Sequence, residues 1–275
     1  MQADWPILRN EYSMLIDTHF HIYSADTPLS TDRWGHRKWP APLADILPAF
    51  TKFGVSHGVM TTSSEYGLYN AEFAVALSAH KNLRATTNLA LDTTRAQLTA
   101  LSAQGFLGTR LHWRPLDQTP DPDSPAYQRL FRLCADIGWH MHLTERAARM
   151  ERTILALERA GMRVVVDHMG FLDTPEGVDD PHFQAILRAI ERGQTWATLS
   201  GGFRFKNTDP DALATALIGT GGWERLMWAS DWPFVGYHGK VSYAQAVSAL
   251  AHHVTDPAMQ AVVGHETAHK FYFSR

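Results

Sequence analysis

Short apolar or alternating runs recur along this chain, and each is followed by a stretch of helical periodicity. A period of two marks a strand and one near 3.6 an amphipathic helix, so the alternation predicts repeated β-α units around a parallel sheet. Strands are expected over residues 14–23, 57–62, 84–91, 108–113, 139–144, 163–169, 195–200 and 226–230. Helices are expected over 43–53, 70–80, 95–104, 126–137, 146–160, 181–192 and 211–217, with two more, 243–253 and 257–263, after the eighth strand. Eight strand-then-helix units fit a (β/α)8 TIM barrel better than a doubly wound sheet, which shows fewer units or a Gly-rich phosphate loop after its first strand. No linker rich in Gly, Ser or charge interrupts the pattern, so one barrel domain over 14–275 is expected, preceded by an extension, 1–13. The longest irregular stretches, 24–42, 114–125 and 170–180, all follow strands, where a barrel of this kind builds its active site.

Composition narrows the function classes. The 275 residues are 45% hydrophobic and 19% charged, with a net charge of −3 and no dense Lys/Arg run, so no electrostatic footprint for nucleic acid or an anionic membrane is present. The single cysteine, Cys134, excludes a disulfide scaffold and sits in an apparent helix as a small buried hydrophobe. No apolar stretch approaches membrane-spanning length, and residues 1–13 lack the apolar core of a leader, so the cytoplasm is the expected compartment.

The chemistry concentrates at predicted strand ends. Asp17-Thr18-His19-Phe20-His21 follows the apolar run Met14-Leu15-Ile16. Alternation on a strand sends His19 and His21 the same way, with Asp17 one layer below them. His168 closes Val164-Val165-Val166-Asp167-His168-Met169-Gly170, and Asp231 closes Met227-Trp228-Ala229-Ser230-Asp231. Buried imidazoles and carboxylates need partners, and four of them at one end of three strands point to a shared centre.

With those residues in place, the chain resembles the amidohydrolase superfamily, in which a first-strand His-x-His, a sixth-strand His and an eighth-strand Asp form the catalytic centre of a (β/α)8 barrel. The stretches from Val164 to Gly170, Gly177-Val178-Asp179, Gly138-Trp139-His140 and Ser230-Asp231-Trp232-Pro233 look like the 2-pyrone-4,6-dicarboxylate lactonase branch, and the likeness runs from about Met14 to Tyr272. The resemblance implies hydrolysis of a lactone, with Asp231 as general base on water and His19, His21 and His168 polarising the carbonyl. It leaves the cofactor open between none and a single divalent metal, zinc, held by His19, His21, His168 and Asp231. The end of strand five offers Thr144, and strand four offers only Arg110 and His112, which argues against a binuclear site. His142, two residues before Thr144, is expected to approach the centre, and His140 to belong to the core.

The same branch places substrate-binding arginines at Arg110 and Arg204; Arg114 is shifted from the family's second strand-four arginine. An anionic lactone as small-molecule partner is therefore expected, with Arg side chains gripping its carboxylates. In the loop Asp32-Arg33-Trp34-Gly35-His36-Arg37-Lys38-Trp39-Pro40, Trp39 stands where the lactonase tends to have Tyr, and Thr144 replaces a strand-five Tyr, so the pocket has changed shape. Ser63, Ser64 and Tyr66 are candidate polar contacts. The alternatives are a metal-dependent sugar lactonase, or a decarboxylase, hydratase or lactone isomerase of an unsaturated acid on the same barrel.

Overall fold

A computed structural model describes residues 14–30, 38–118, 120–220 and 222–274. The expected extension 1–13 and the loop residues Arg33, Trp34, His36 and Arg37 lie outside them. Eight parallel strands run in sequence order: β1 (Leu15–Phe20), β2 (Val55–Met60), β3 (Leu83–Thr87), β4 (Phe106–His112), β5 (His140–Thr144), β6 (Arg163–Val166), β7 (Thr195–Leu199) and β8 (Leu226–Trp228). β8 returns to β1 through Thr18 Oγ1, which donates to Trp228 O at 2.7 Å, and through Asp231 N donating to His19 O at 2.9 Å. The chain is a (β/α)8 TIM barrel.

Between the strands lie α1 (Leu43–Phe53), α2 (Ala71–Ala79), α3 (Arg95–Gln104), α4 (Pro125–Asp136), α5 (Ala147–Arg159), α6 (Pro181–Arg192) and α7 (Pro210–Gly219); α8 (Tyr243–His253) and α9 (Pro257–Ala261) follow β8. Local chemistry sets their bounds. Thr94 and Gln97 close a capping box at the start of α3, as Ser242 and Gln245 do for α8, each satisfying amide donors the first turn leaves open. At α6, Asp180 accepts from His182 N, Pro181 takes the first helical position, and Gly193 at φ 95° ends the helix.

Several expected strands are shorter than their apolar pattern. β1 ends at Phe20 rather than Tyr23, β6 at Val166 rather than Met169, and β8 at Trp228 rather than Ser230. The residues beyond each remain buried but leave the ladder, because they turn across the barrel mouth. α9 continues through a π-helical turn (Val262–Glu266) into α10 (Thr267–Tyr272), a helix too short for the periodicity to reveal.

Two apolar layers result. The larger lies between strands and helices. The smaller joins Ile16 of β1, Val59 of β2, Leu107 of β4, Val165 of β6 and Met227 of β8 with Ala268, Phe271 and Tyr272 of α10, filling the ring from below. Packing there is close: a Cβ on Gly108 would stand 2.4 Å from the His140 ring on the neighbouring strand. Cys134 is buried, and burial pushes its thiol up to about 12. Among the described residues, no helix is long and apolar enough to cross a membrane.

Candidate active site

Among the described residues, five that are not glycine adopt positive φ: His168, Met169, Phe171, Asp231 and Phe234. All five lie just beyond β6 or β8. Such a conformation costs about 1–3 kcal/mol per residue and persists only where the surroundings over-determine it, which is common at functional sites. Two of the four residues expected to carry the chemistry, His168 and Asp231, are thus held in strained backbone at the mouth of the barrel.

The four expected groups meet. His19 Nε2 stands 3.3 Å from His21 Nε2; Asp231 Oδ1 stands 4.0 Å from His21 Nε2 and 3.7 Å from His168 Nε2. Behind them the wiring fixes tautomers. His21 Nδ1 lies 2.6 Å from Thr61 O, which can only accept, so Nδ1 carries the hydrogen. His19 Nδ1 lies 3.1 Å from Asp167 Oδ1 and donates to it for the same reason. His168 Nδ1 sits 2.9 Å from Ser200 Oγ, and its backbone N–H donates to Thr198 Oγ1 at 2.8 Å.

Asp17 does not lie beneath His19 and His21. The β1–β2 register shifts between Asp17 and Phe20, which breaks the alternation, and the Asp17 carboxylate instead meets Ser230 and Tyr243 of α8. Burial pushes it up to about 6.

Asp167, which sequence reasoning passed over, organises the layer below the mouth. Its Oδ1 accepts from His19 and from His142 Nδ1 at 2.8 Å; its Oδ2 accepts from Arg110 Nε at 3.0 Å and Thr144 Oγ1 at 2.9 Å. Its signal was available: an Asp ending a run of three Val must be buried, and a buried carboxylate needs partners. Arg110 also donates to Thr62 O and Thr144 Oγ1, so each of its nitrogens serves a protein acceptor. His142 joins this lower layer, and its Nε2 accepts from Tyr272 Oη of α10 at 3.1 Å.

Arg204 is a cation at the mouth. Its Nε donates to Asp231 Oδ2 at 2.5 Å and its Nη1 to Val235 O, with the Phe203 and Tyr237 rings beside it. Arg114 is placed further out, its guanidinium 3.9 Å from the Phe171 ring centre, and that ring in turn meets His168 edge-on. Trp39 is half-exposed at the rim and stacks on His238; Ser64 bonds His112. Neither Trp39 nor Ser64 is brought to the histidine cluster.

The charges are strongly coupled. Burial opposes ionisation of Asp231, but Arg204, with His168 and His19 close by, outweighs it and holds the carboxyl well below its ordinary range. Asp167 is held low in the same way by His19, Arg110 and His142 against burial. Burial pushes His168 down to about 3, and burial with the neighbouring His19 and Arg110 holds His21 well below its usual value. The centre therefore presents an ionised carboxylate to neutral His21 and His168.

This donor set fits a divalent cation. His19, His21 and Asp231 offer ligand atoms within 4.8 Å of one another. Because both Nδ1 atoms spend their hydrogen on oxygen acceptors, the two Nε2 atoms approach lone pair to lone pair, and one hydrogen or one cation between them satisfies both. His19, His142 and Asp167 also lie close enough, but their hydrogen bonds already account for that spacing.

A closed ring of parallel strands with two histidines at the end of β1, one after β6 and an aspartate after β8 defines a barrel hydrolase centre. The sequence model of the family described as Amidohydrolase matches residues 16–273, and the chain belongs to that family. It is 24% identical to a 4-sulfomuconolactone hydrolase of Hydrogenophaga intermedia over 229 residues, covering 80% of this chain and 75% of that protein. Against a 2-pyrone-4,6-dicarboxylate hydrolase of Comamonas testosteroni the identity is also 24%, over 237 residues, with 79% and 76% covered. A crystal structure from Pseudomonas putida, described as a candidate 2-pyrone-4,6-dicarboxylic acid hydrolase, superposes with a TM-score of 0.87 at 29% identity, covering 95% of this chain and 98% of that one.

Proposed function

We propose that this protein hydrolyses a small anionic lactone, with Asp231 as the base that activates water. The observation that carries this reading is the Asp231 carboxylate: Oδ2 is engaged by Arg204, while Oδ1 stands 4.0 Å from His21 Nε2 and 3.7 Å from His168 Nε2, beyond hydrogen-bond distance of either and left to accept from a water at the mouth. Water held there gives its proton to Asp231 Oδ1 as its oxygen bonds to the lactone carbonyl carbon. Collapse of the tetrahedral intermediate breaks the ring C–O bond, and the proton on Asp231 passes to the departing ring oxygen, leaving a hydroxy acid. The related lactone hydrolases support the reaction class.

Neutral His21 presents a lone pair, not a hydrogen, to the developing oxyanion, which favours a cation held by His19, His21 and Asp231 with His168 alongside. When bound, such a cation supplies Lewis-acid polarisation of the carbonyl. Arg204 beside the reacting carboxylate, and Arg114 further out, give the mouth the positive charge that a carboxylated or sulfonated ring would meet. Arg110 supports the centre from below through Asp167.

A panel of neutral, carboxylated and sulfonated lactones, assayed with and without chelator, tests the reading. Turnover should favour the anionic rings and fall on chelation. Good turnover of neutral lactones with the anionic ones ignored would overturn the substrate class. Release of carbon dioxide or of an isomerised ring in place of a ring-opened acid would overturn the reaction.

A further inference from the structure

Asp17 belongs to the first-strand motif yet touches none of the reacting side chains. Its Oδ1 accepts from Ser230 N at 2.9 Å and His19 N at 3.3 Å; its Oδ2 accepts from Ser230 Oγ at 2.6 Å and Tyr243 Oη at 2.9 Å. It is fully buried, and each of these four partners is a neutral donor. A buried carboxylate without a cation is an expensive way to fill a seam between strands, and an apolar side chain would do that at less cost. Only an acceptor on both oxygens takes all four hydrogens at once, since an amide would turn two hydrogens toward two of the donors.

What lies beyond Ser230 gives this arrangement a use. Ser230 Oγ accepts from Trp232 N at 3.0 Å, Asp231 N donates to His19 O, and His21 N donates to Trp232 O at 2.9 Å. Three consecutive residues are therefore pinned to β1 and to His21 just beyond it, and the middle one, Asp231, has φ 63°. Backbone in that region relaxes unless it is held on both sides. We propose that Asp17 is a positioning residue: through Ser230 it holds Asp231 in the left-handed conformation that aims its carboxylate at His21 and His168. The proposal rests on the reading of Asp231 as the base, and it adds a second carboxylate that governs the first without contacting it.

The test uses Asp17→Asn, Ser230→Ala and the double variant, assayed on whichever lactone the wild type turns over best. Each single variant should lower kcat by about 10- to 100-fold, the effect expected of a reacting group displaced by around 1 Å, with KM within about threefold. The double variant should be no slower than the slower single, because both break one linkage. Thr94→Ala, which loses the α3 cap and touches no site residue, calibrates what destabilisation alone does to kcat. A crystal structure of Asp17→Asn should show Asp231 leaving positive φ or its Arg204 contact broken. Wild-type kcat in both single variants, losses that multiply in the double variant, or an Asp231 still at positive φ on Arg204 would each overturn the proposal. If Asp17→Asn does not fold, Ser230→Ala carries the same kinetic and crystallographic readouts. If the wild type opens no lactone, the functional reading fails and the position of Asp231 in the variant crystals still decides the role of Asp17.

Discussion

Asp231 combines burial, a strained backbone and a 2.5 Å pairing with Arg204. Asp231→Asn should keep the fold, read by circular dichroism, and lower kcat by about 10²- to 10⁴-fold, the usual contribution of a positioned general base. Retained turnover would move the base elsewhere. At this scale the residue types were legible because chemistry singles out imidazoles and carboxylates that end apolar runs, as His19, His21, His168 and Asp231 do. Their wiring was not. Alternation put Asp17 beneath the histidines, whereas an irregularity in β1 turned it toward β8 and α8. Arg110 read as a substrate clamp because a lone strand-end arginine carries no sign of its partner; Asp167, 57 positions away, supplies it.

The elements showed more of themselves than the wiring did, since strand and helix periods are local properties. Eight strands and nine of the helices could be placed from pattern, and the errors fell where backbone leaves its period: the ends of β1, β6 and β8, the end of β3 at Thr87 rather than Leu91, and the short α10. One carboxylate ties together the loops after β6 and β7. Asp173, after β6, accepts at Oδ1 from the backbone N–H of Lys206, Asn207 and Thr208, after β7. Partial burial opposes its charge, but those amides outweigh it and lower its pKa from 3.8. A carboxyl lowered on folding stabilises the native state above its unfolded pKa, and that gain is lost as pH falls through the folded value. Wild type should therefore melt roughly 2–4 °C above Asp173→Asn near pH 6. The gap should narrow as pH drops below 3.8. An equal gap at every pH, by calorimetry, would remove the charge from the explanation.

For the molecule as a whole, α10 completes what the strands enclose. Phe271 and Tyr272 are buried against interior residues of five strands, and Tyr272 Oη donates to His142, which shares the Asp167 carboxylate with His19. Tyr272→Phe leaves the buried His142 Nε2 without its donor and should cost about 1–3 kcal/mol. Tyr272→Ala also empties the space beneath the ring of strands and should cost about 3–5 kcal/mol. Urea unfolding measures both, and a phenylalanine variant as stable as wild type would show that the hydroxyl contributes nothing to the lower layer.

That plug also sets an order of events during synthesis. β1, with His19 in it and His21 just beyond it, leaves the ribosome well before β8, Asp231 just beyond β8, and the helix that seals the interior. The nascent chain therefore has imidazoles with no carboxylate opposite them and an interior open to water. Hydrolytic competence should arrive in one late step, and a chain arrested just before α10 should stay inert although every reacting residue has already been made.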